Sequence, residues 1–158
     1  MKQIVNRYRE FFRDPSSLTA CLTAFTFFLI SLVINFFASQ YAFTNKSNSV
    51  TDIILDNLPA VNMDYAFIYG TWVVVLFIMA ILLPHPKRVP FTLKAMAVFI
   101  VVRSLFVCMT HLGPSPLNTL SAPSEIGRAF TSGADLFFSG HTGMPFLIAL
   151  LFWKQPLI

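Results

Sequence analysis

Charged side chains are scarce in this chain. Asp, Glu, Lys and Arg together make up 11% of its 158 residues, whereas about a quarter of the residues in soluble domains are charged. Hydrophobic residues account for 56%, and 18 residues are Phe. A soluble domain of this size covers most of its exterior with polar groups. The composition therefore argues against a water-exposed globular domain and indicates a protein whose surroundings are lipid.

Cysteine is equally sparse, with only Cys21 and Cys108. Both fall inside long apolar runs, where a thiol packs as a small apolar group. Neither takes part in a zinc-type spacing. We assign them no disulfide and no metal role, and we expect neither a metal nor a cofactor.

Four apolar segments are long enough to cross a hydrocarbon core about 30 Å thick, which takes about 20 helical residues. They span residues 18–43, 65–83, 92–112 and 141–157. The fourth is the weakest, since its apolar run is short and it crosses only if the residues from Ser139 onward belong to it. The predicted fold is all-α, a polytopic helical membrane bundle of about four transmembrane helices.

The net charge of +4 is unevenly distributed along the chain. Most basic residues precede the first span, lie between spans two and three, or follow span four, whereas residues 44–64 and 113–140 hold most of the acids. The positive-inside rule therefore predicts a cytoplasmic N-terminus and places those two loops on the other side of the membrane. Residues 1–16 form an amphipathic cytoplasmic segment, for which a simple basic anchor is the preferred interpretation, and residues 17–158 form the transmembrane domain.

Arg103 lies inside the third span, where a charge costs at least about 2.5 kcal/mol on insertion scales. Such an arginine usually faces a polar cavity or a partner. One interpretation is a structural pair with Asp135 or with a backbone carbonyl. The other is that its planar guanidinium, a fork of N–H donors, binds a phosphate or a carboxylate.

Residues 133–145 form a polar, glycine-containing turn that leads into the last apolar helix. Helix N-termini bind anions, so the amides of Gly140, His141 and Thr142 would cradle a phosphate. Ser139 can cap the helix, and His141 could donate a proton to a leaving oxygen. From the residues alone, this function and an ordinary interfacial histidine are equally plausible.

The string Asp-Leu-Phe-Phe-Ser-Gly-His-Thr at 135–142 resembles the third signature of the sphingomyelin synthase family, a branch of the type 2 phosphatidic acid phosphatase superfamily. That signature reads Cys-Gly-Asp, two apolar residues, then Phe-Ser-Gly-His-Thr. Eight consecutive positions fit it, and Gly133 and Ala134 depart from it. Residues 52–59 and Arg103, with Thr110 and Leu112 after it, are similar to two further family segments.

This resemblance implies phosphotransfer on lipid head groups at the non-cytoplasmic face, in which one histidine attacks phosphorus and is oriented by an aspartate. His141 would be the general acid that protonates the leaving alcohol. The substrate-binding residues that we assign are Arg103, Ser139, Gly140, Thr142 and Asp135. Membrane lipids carrying phosphate are the expected partners, and nucleic acid is not.

The family core has six helices, and its nucleophilic histidine comes from a later helix than the Ser-Gly-His turn. No histidine follows His141, and neither His85 nor His111 precedes an aspartate at the required spacing. We therefore expect a chain truncated at its C-terminus that lacks the nucleophile half of the site. The alternative is a non-catalytic membrane protein that binds phosphorylated lipid or assembles with partner helices.

Overall fold

The computed structural model describes residues 2–45, 47–48, 57, 64–110 and 139–153. Every regular element in these residues is helical, and no strand occurs among them. In chain order the elements are α1 (Lys2–Arg13), α2 (Pro15–Thr44), α3 (Asp64–Leu82), a 3₁₀ turn (Pro86–Arg88), α4 (Val89–Thr110) and α5 (Gly140–Phe152). The expectation of an all-α fold is confirmed for the described part of the chain.

Two of these helices have the length and composition needed to cross a membrane, namely α2 and the continuous helical stretch Pro86–Thr110. The apolar stretches of α3 and α5 are shorter, at Tyr69–Leu82 and Gly140–Phe152. The 13 residues of α5 rise about 20 Å, which is less than the hydrocarbon thickness of about 30 Å.

The start of α2 is set by its local sequence. Asp14 is the N-cap, and its carboxylate accepts hydrogen bonds from the backbone amides of Ser16 and Ser17, both at 3.2 Å. Pro15 occupies the first helical position, where its missing N–H is not needed. The long apolar run that follows continues as helix up to Thr44.

The main packing interface joins α2 to α4, and the two helices run parallel. Lys87, Pro90 and Lys94 line the same groove as Asp14 and Ser17, whereas Ala42 packs on Val107 at the other end of the pair. Small side chains let the two backbones approach closely. The residues of α2 that are buried in this interface are Ala24, Ser31, Ala38, Ser39 and Ala42.

The remaining helices run in the opposite direction. Ile78 and Leu82, at the C-terminal end of α3, form a buried cluster with Ile148 of α5. Val89 and Met96, from the first half of α4, pack against this cluster. The C-terminal ends of α3 and α5 therefore lie beside the N-terminal part of α4, so the four long elements alternate in direction.

The short helix α1 lies across the end of the bundle where α2 and α4 begin. Phe11 is buried, at 4% exposure, and Arg7 donates a hydrogen bond from Nη1 to the backbone oxygen of Pro84 at 3.0 Å. These contacts fix α1 to the turn between α3 and α4. As a result, the basic residues of α1 and those of residues 87–94 gather at one end of the molecule.

Candidate functional site

Arg103 is almost completely buried, at 8% exposure, in the interface between α2 and α4. Its Nη1 donates a hydrogen bond of 2.6 Å to Oδ1 of Asn35. Oγ of Ser104 lies 3.5 Å from the same oxygen and donates a shorter bond, 2.8 Å, to the carbonyl of Ile100 in its own helix. Asn35 thus fixes one nitrogen of the guanidinium and orients the plane of the fork.

Gly140, the first residue of α5, lies directly against the Arg103 side chain. A Cβ atom at Gly140 would be 3.4 Å from Nε of Arg103 and 3.9 Å from its Cδ and Cζ atoms. The backbone at the start of α5 is therefore in contact range of the guanidinium. Two residues that the sequence assigned to one site, but which are 37 positions apart, are brought together by the packing of α5 on α4.

The first turn of α5 is capped by Ser139, whose Oγ accepts a hydrogen bond from the amide of Thr142 at 3.4 Å. The Ser139 and Thr142 hydroxyl oxygens lie 3.3 Å apart. The expected cap is present. The amides of Gly140 and His141 also belong to the first turn, where N–H groups are directed out of the helix end.

Pro145 lies inside α5. Because proline has no N–H, residue 145 cannot donate the usual bond to the carbonyl of His141. The first turn of α5 therefore lacks one of its stabilising hydrogen bonds. His141 itself is exposed.

The depth of the site follows from helical geometry. Arg103 precedes the end of α4 at Thr110 by seven residues, or about 10 Å of rise. Gly140 lies beside Arg103, so α5 begins below the end of α4. The glycine of this motif is the first residue of α5, and it lies level with the buried arginine of α4.

The positive end of the α5 dipole and the guanidinium therefore converge on one volume. A helix N-terminus carries roughly half a positive charge, and Arg103 carries a full one. Two like charges at this separation repel each other, and a bound anion would stabilise both. A phosphate oxygen suits both the fork and the helix amides.

Other residues considered in the sequence lie elsewhere. His85 is in the turn before α4, and it is separated from Arg103 along that helix by about 20 Å or more at helical rise. Asp135 and His111 lie outside the described residues. Within the described part of the chain, no cluster of three metal-ligating side chains occurs.

Sequence reasoning missed Asn35. It was visible as an amide within the apolar run of 18–43, where polar side chains commonly bond to a neighbouring helix. What the sequence does not provide is the register of α2 against α4, and that register decides which residue faces Arg103. Comparison with protein-family models, curated proteins and solved structures finds no match for this chain.

Proposed function

We propose that this chain is a polytopic membrane protein that binds the phosphate of a lipid head group between Arg103 and the N-terminus of α5. In this proposal it supplies the phosphate-binding part and the general acid of a lipid phosphatase or head-group phosphotransferase. The observation that carries the proposal is the contact between Gly140 and the buried guanidinium.

The exposed surface supports a lipid environment. Large apolar side chains cover α2, with Phe27 59%, Phe36 52% and Phe37 65% exposed. Monomeric soluble proteins rarely expose apolar patches beyond a few hundred Å². The alternating helix directions and the basic residues at one end support a membrane bundle with a cytoplasmic N-terminus. Among the described residues, α2 and the stretch Pro86–Thr110 have the full length of a crossing. In this arrangement the arginine site lies toward the opposite face.

The chemistry proposed for the site is the transfer of the phosphoryl group from the lipid alcohol to a nucleophile. As a bond forms between phosphorus and the attacking nitrogen of the histidine that the family resemblance implies, the bond between phosphorus and the leaving oxygen breaks, and His141 gives its proton to that oxygen. Water then cleaves the phosphorus–nitrogen bond and releases phosphate. Arg103 and the amides of α5 stabilise the charge on the phosphoryl oxygens, which is usually the largest contribution to catalysis of this kind. The family resemblance supports this scheme, although its nucleophilic histidine is assigned to no residue of this chain.

The test measures binding and turnover separately, with the purified chain in lipid nanodiscs and dioleoyl phosphatidic acid as substrate. We expect His141→Ala to retain lipid binding. Where the wild type, with a nucleophile supplied to it, releases phosphate, His141→Ala should lower that release by about 10²- to 10⁴-fold, the usual contribution of a general acid. Arg103→Ala should weaken binding by about tenfold or more, because a charged hydrogen bond contributes about 1.5–3 kcal/mol. An unchanged rate in His141→Ala would refute the role of that residue.

His85→Ala is the matched control, since it removes a histidine at the other end of α4. It should change neither binding nor phosphate release. Arg103→Lys keeps the charge but loses the planar fork, so its binding should fall between those of the wild type and Arg103→Ala.

A second candidate is a non-catalytic protein that binds phosphorylated lipid. It is favoured by the way Arg103 is held in the helix interface by Asn35, because this arrangement needs no nucleophile to bind phosphate. Binding that is lost in Arg103→Ala, without any turnover in the wild type, would support this candidate. Absence of both binding and turnover would refute both.

A further inference from the structure

A second charged surface lies at the opposite end of the bundle from Arg103. A groove of about 400 Å³ runs between the start of α2 and the start of α4. One side is formed by Lys87, Pro90, Phe91 and Lys94, and the other by Phe11, Asp14, Ser17 and Ala20. We refer to these eight residues as the basal groove.

The spacing of the residues explains the chemistry of the basal groove. Positions 90, 91 and 94 follow position 87 by three, four and seven residues, so the four share one helical face. Lys87 and Lys94 are exposed at the two ends of this face, and Pro90 is buried between them. The separation of seven residues places the two ammonium-bearing side chains about 10 Å apart along the axis.

Other basic groups at this end are engaged or lie outside the groove. Arg7 donates to the Pro84 carbonyl, and the Arg88 guanidinium carbon lies 6.0 Å from the ring centroid of Phe152. Arg9 and Arg13 are exposed on α1 and do not line the groove. The two lysines are therefore the cationic side chains that the groove itself presents.

One carboxylate also faces the groove. The Asp14 side chain accepts hydrogen bonds from the amides and hydroxyls of both Ser16 and Ser17, with hydroxyl distances of 2.7 Å. It is thus directed at the N-terminus of α2. The positive ends of α2 and α4 both lie at the groove, and together with the lysines they outweigh this single negative charge.

The groove continues into apolar surface. Phe91 is 63% exposed, and Val98, one turn beyond Lys94 on the same face of α4, is 64% exposed. A ligand with an anionic head group and hydrocarbon chains matches this arrangement. Its head group would contact the lysines, and its chains would contact the exposed apolar side chains. The volume of the groove also lies within the range of small-molecule sites, which begins at about 300 Å³.

The geometry points to a binding site for an anionic phospholipid, with its head group between Lys87 and Lys94. This inference rests on the membrane location in the proposed function and not on phosphotransfer at Arg103. The phosphate would lie in the leaflet that contacts α1, which under the positive-inside rule is the cytoplasmic one.

Native mass spectrometry of the delipidated full chain tests the site by titration with dioleoyl phosphatidylglycerol and with dioleoyl phosphatidylcholine. The wild type should prefer the anionic lipid. In Lys87→Gln/Lys94→Gln this preference should fall about 30-fold, since each of the two basic residues near an anionic surface contributes about 1 kcal/mol. Lys87→Arg/Lys94→Arg should retain it.

The matched control is Arg9→Gln/Arg13→Gln, which removes the same charge from the same end outside the groove. It should keep the preference. An equal loss in the two glutamine variants would overturn the site in favour of a diffuse electrostatic effect, and so would a wild type without preference. Thermal unfolding of each variant confirms that it is folded.

Repeating the titration in Arg103→Ala separates the two sites. The preference governed by Lys87 and Lys94 should persist there even if all binding of phosphatidic acid at Arg103 fails. A preference that disappears in Arg103→Ala but persists in the lysine variants would assign the anionic lipid to the other site and overturn this one.

Discussion

At the scale of single residues, the buried guanidinium of Arg103 has to be compensated. Removing a charge from water is costly unless it is paired and hydrogen-bonded. The short bond to Asn35 offsets part of that cost and also restricts the rotamers of a long, flexible side chain. The same bond therefore stabilises the interface and positions the fork beside Gly140.

This leads to a prediction for Asn35→Leu. The substitution removes the acceptor of Nη1, and a buried donor without its partner costs about 1–3 kcal/mol. We expect a lower midpoint of thermal unfolding in detergent, monitored by circular dichroism, and weaker binding of phosphatidic acid. Asn35→Asp keeps an acceptor and should recover the unfolding midpoint but not the binding of phosphatidic acid, because its carboxylate neutralises the guanidinium charge.

Ser31→Ala provides the control for that experiment. Ser31 is buried in the same interface, but its hydroxyl donates to the carbonyl of Phe28 in its own helix, at 2.7 Å. It should lower the unfolding midpoint less and leave lipid binding unchanged. Equal effects of Asn35→Leu and Ser31→Ala would show that the bond to Arg103 has no special role.

At the scale of helices, the apolar runs predicted the elements well. Residues 18–43, 65–83 and 92–112 correspond to α2, α3 and α4, because a continuous apolar stretch can satisfy its backbone groups only as a helix. Their ends differ by a few residues, and the start of α2 is set by its Asp14 cap rather than by hydropathy. Ser139 was predicted as a cap and is one. The depth of α5 was not predictable, because it depends on packing against α4.

The cap of α2 gives a pH-dependent prediction. Hydrogen bonds from the hydroxyls of Ser17 and then Ser16, together with their amides, lower the pKa of Asp14 from 3.8 to about 2. The charged cap therefore stabilises the folded chain fully above pH 3.8. That contribution decreases as the pH falls toward 2, because the folded state resists protonation more than the unfolded state does.

We expect the unfolding midpoint of the wild type to drop over this interval relative to that of Asp14→Asn, whose side chain caps but does not titrate. The measurement is the difference between the two midpoints at a series of pH values. Ser17→Ala should shift the transition upward in pH. Parallel curves for wild type and Asp14→Asn would contradict this assignment.

At the scale of the whole molecule, hydropathy predicted the succession of helices but not their neighbours. The small residues of α2 that pack on α4 recur every seven positions, at Ala24, Ser31 and Ala38. This spacing marks an interacting face of α2, but it does not identify the helix that packs on it. The site shows the same limit. Arg103 and residues 139–142 were assigned to one site through the family resemblance, whereas their contact through Gly140 became visible only in the structure.

Cysteine labelling tests the proposed topology. In a Cys21→Ala/Cys108→Ala background, Asn45→Cys should react with a membrane-impermeant maleimide in intact cells, whereas Arg9→Cys should react only after lysis. Both positions are exposed and flank α2. Labelling of both from the same side would show that α2 does not cross. Exchanged labelling would reverse the orientation that the basic residues predict.

The parallel pairing of α2 and α4 also has a consequence for biosynthesis. Asn35 and Arg103 are 68 residues apart, and α3 is made between them. At a translation rate of about 5–20 residues per second, roughly 3 to 14 seconds pass between the synthesis of Asn35 and the synthesis of Arg103. A chaperone or insertase that shields a polar face would act on α2 during this interval, before the arginine exists.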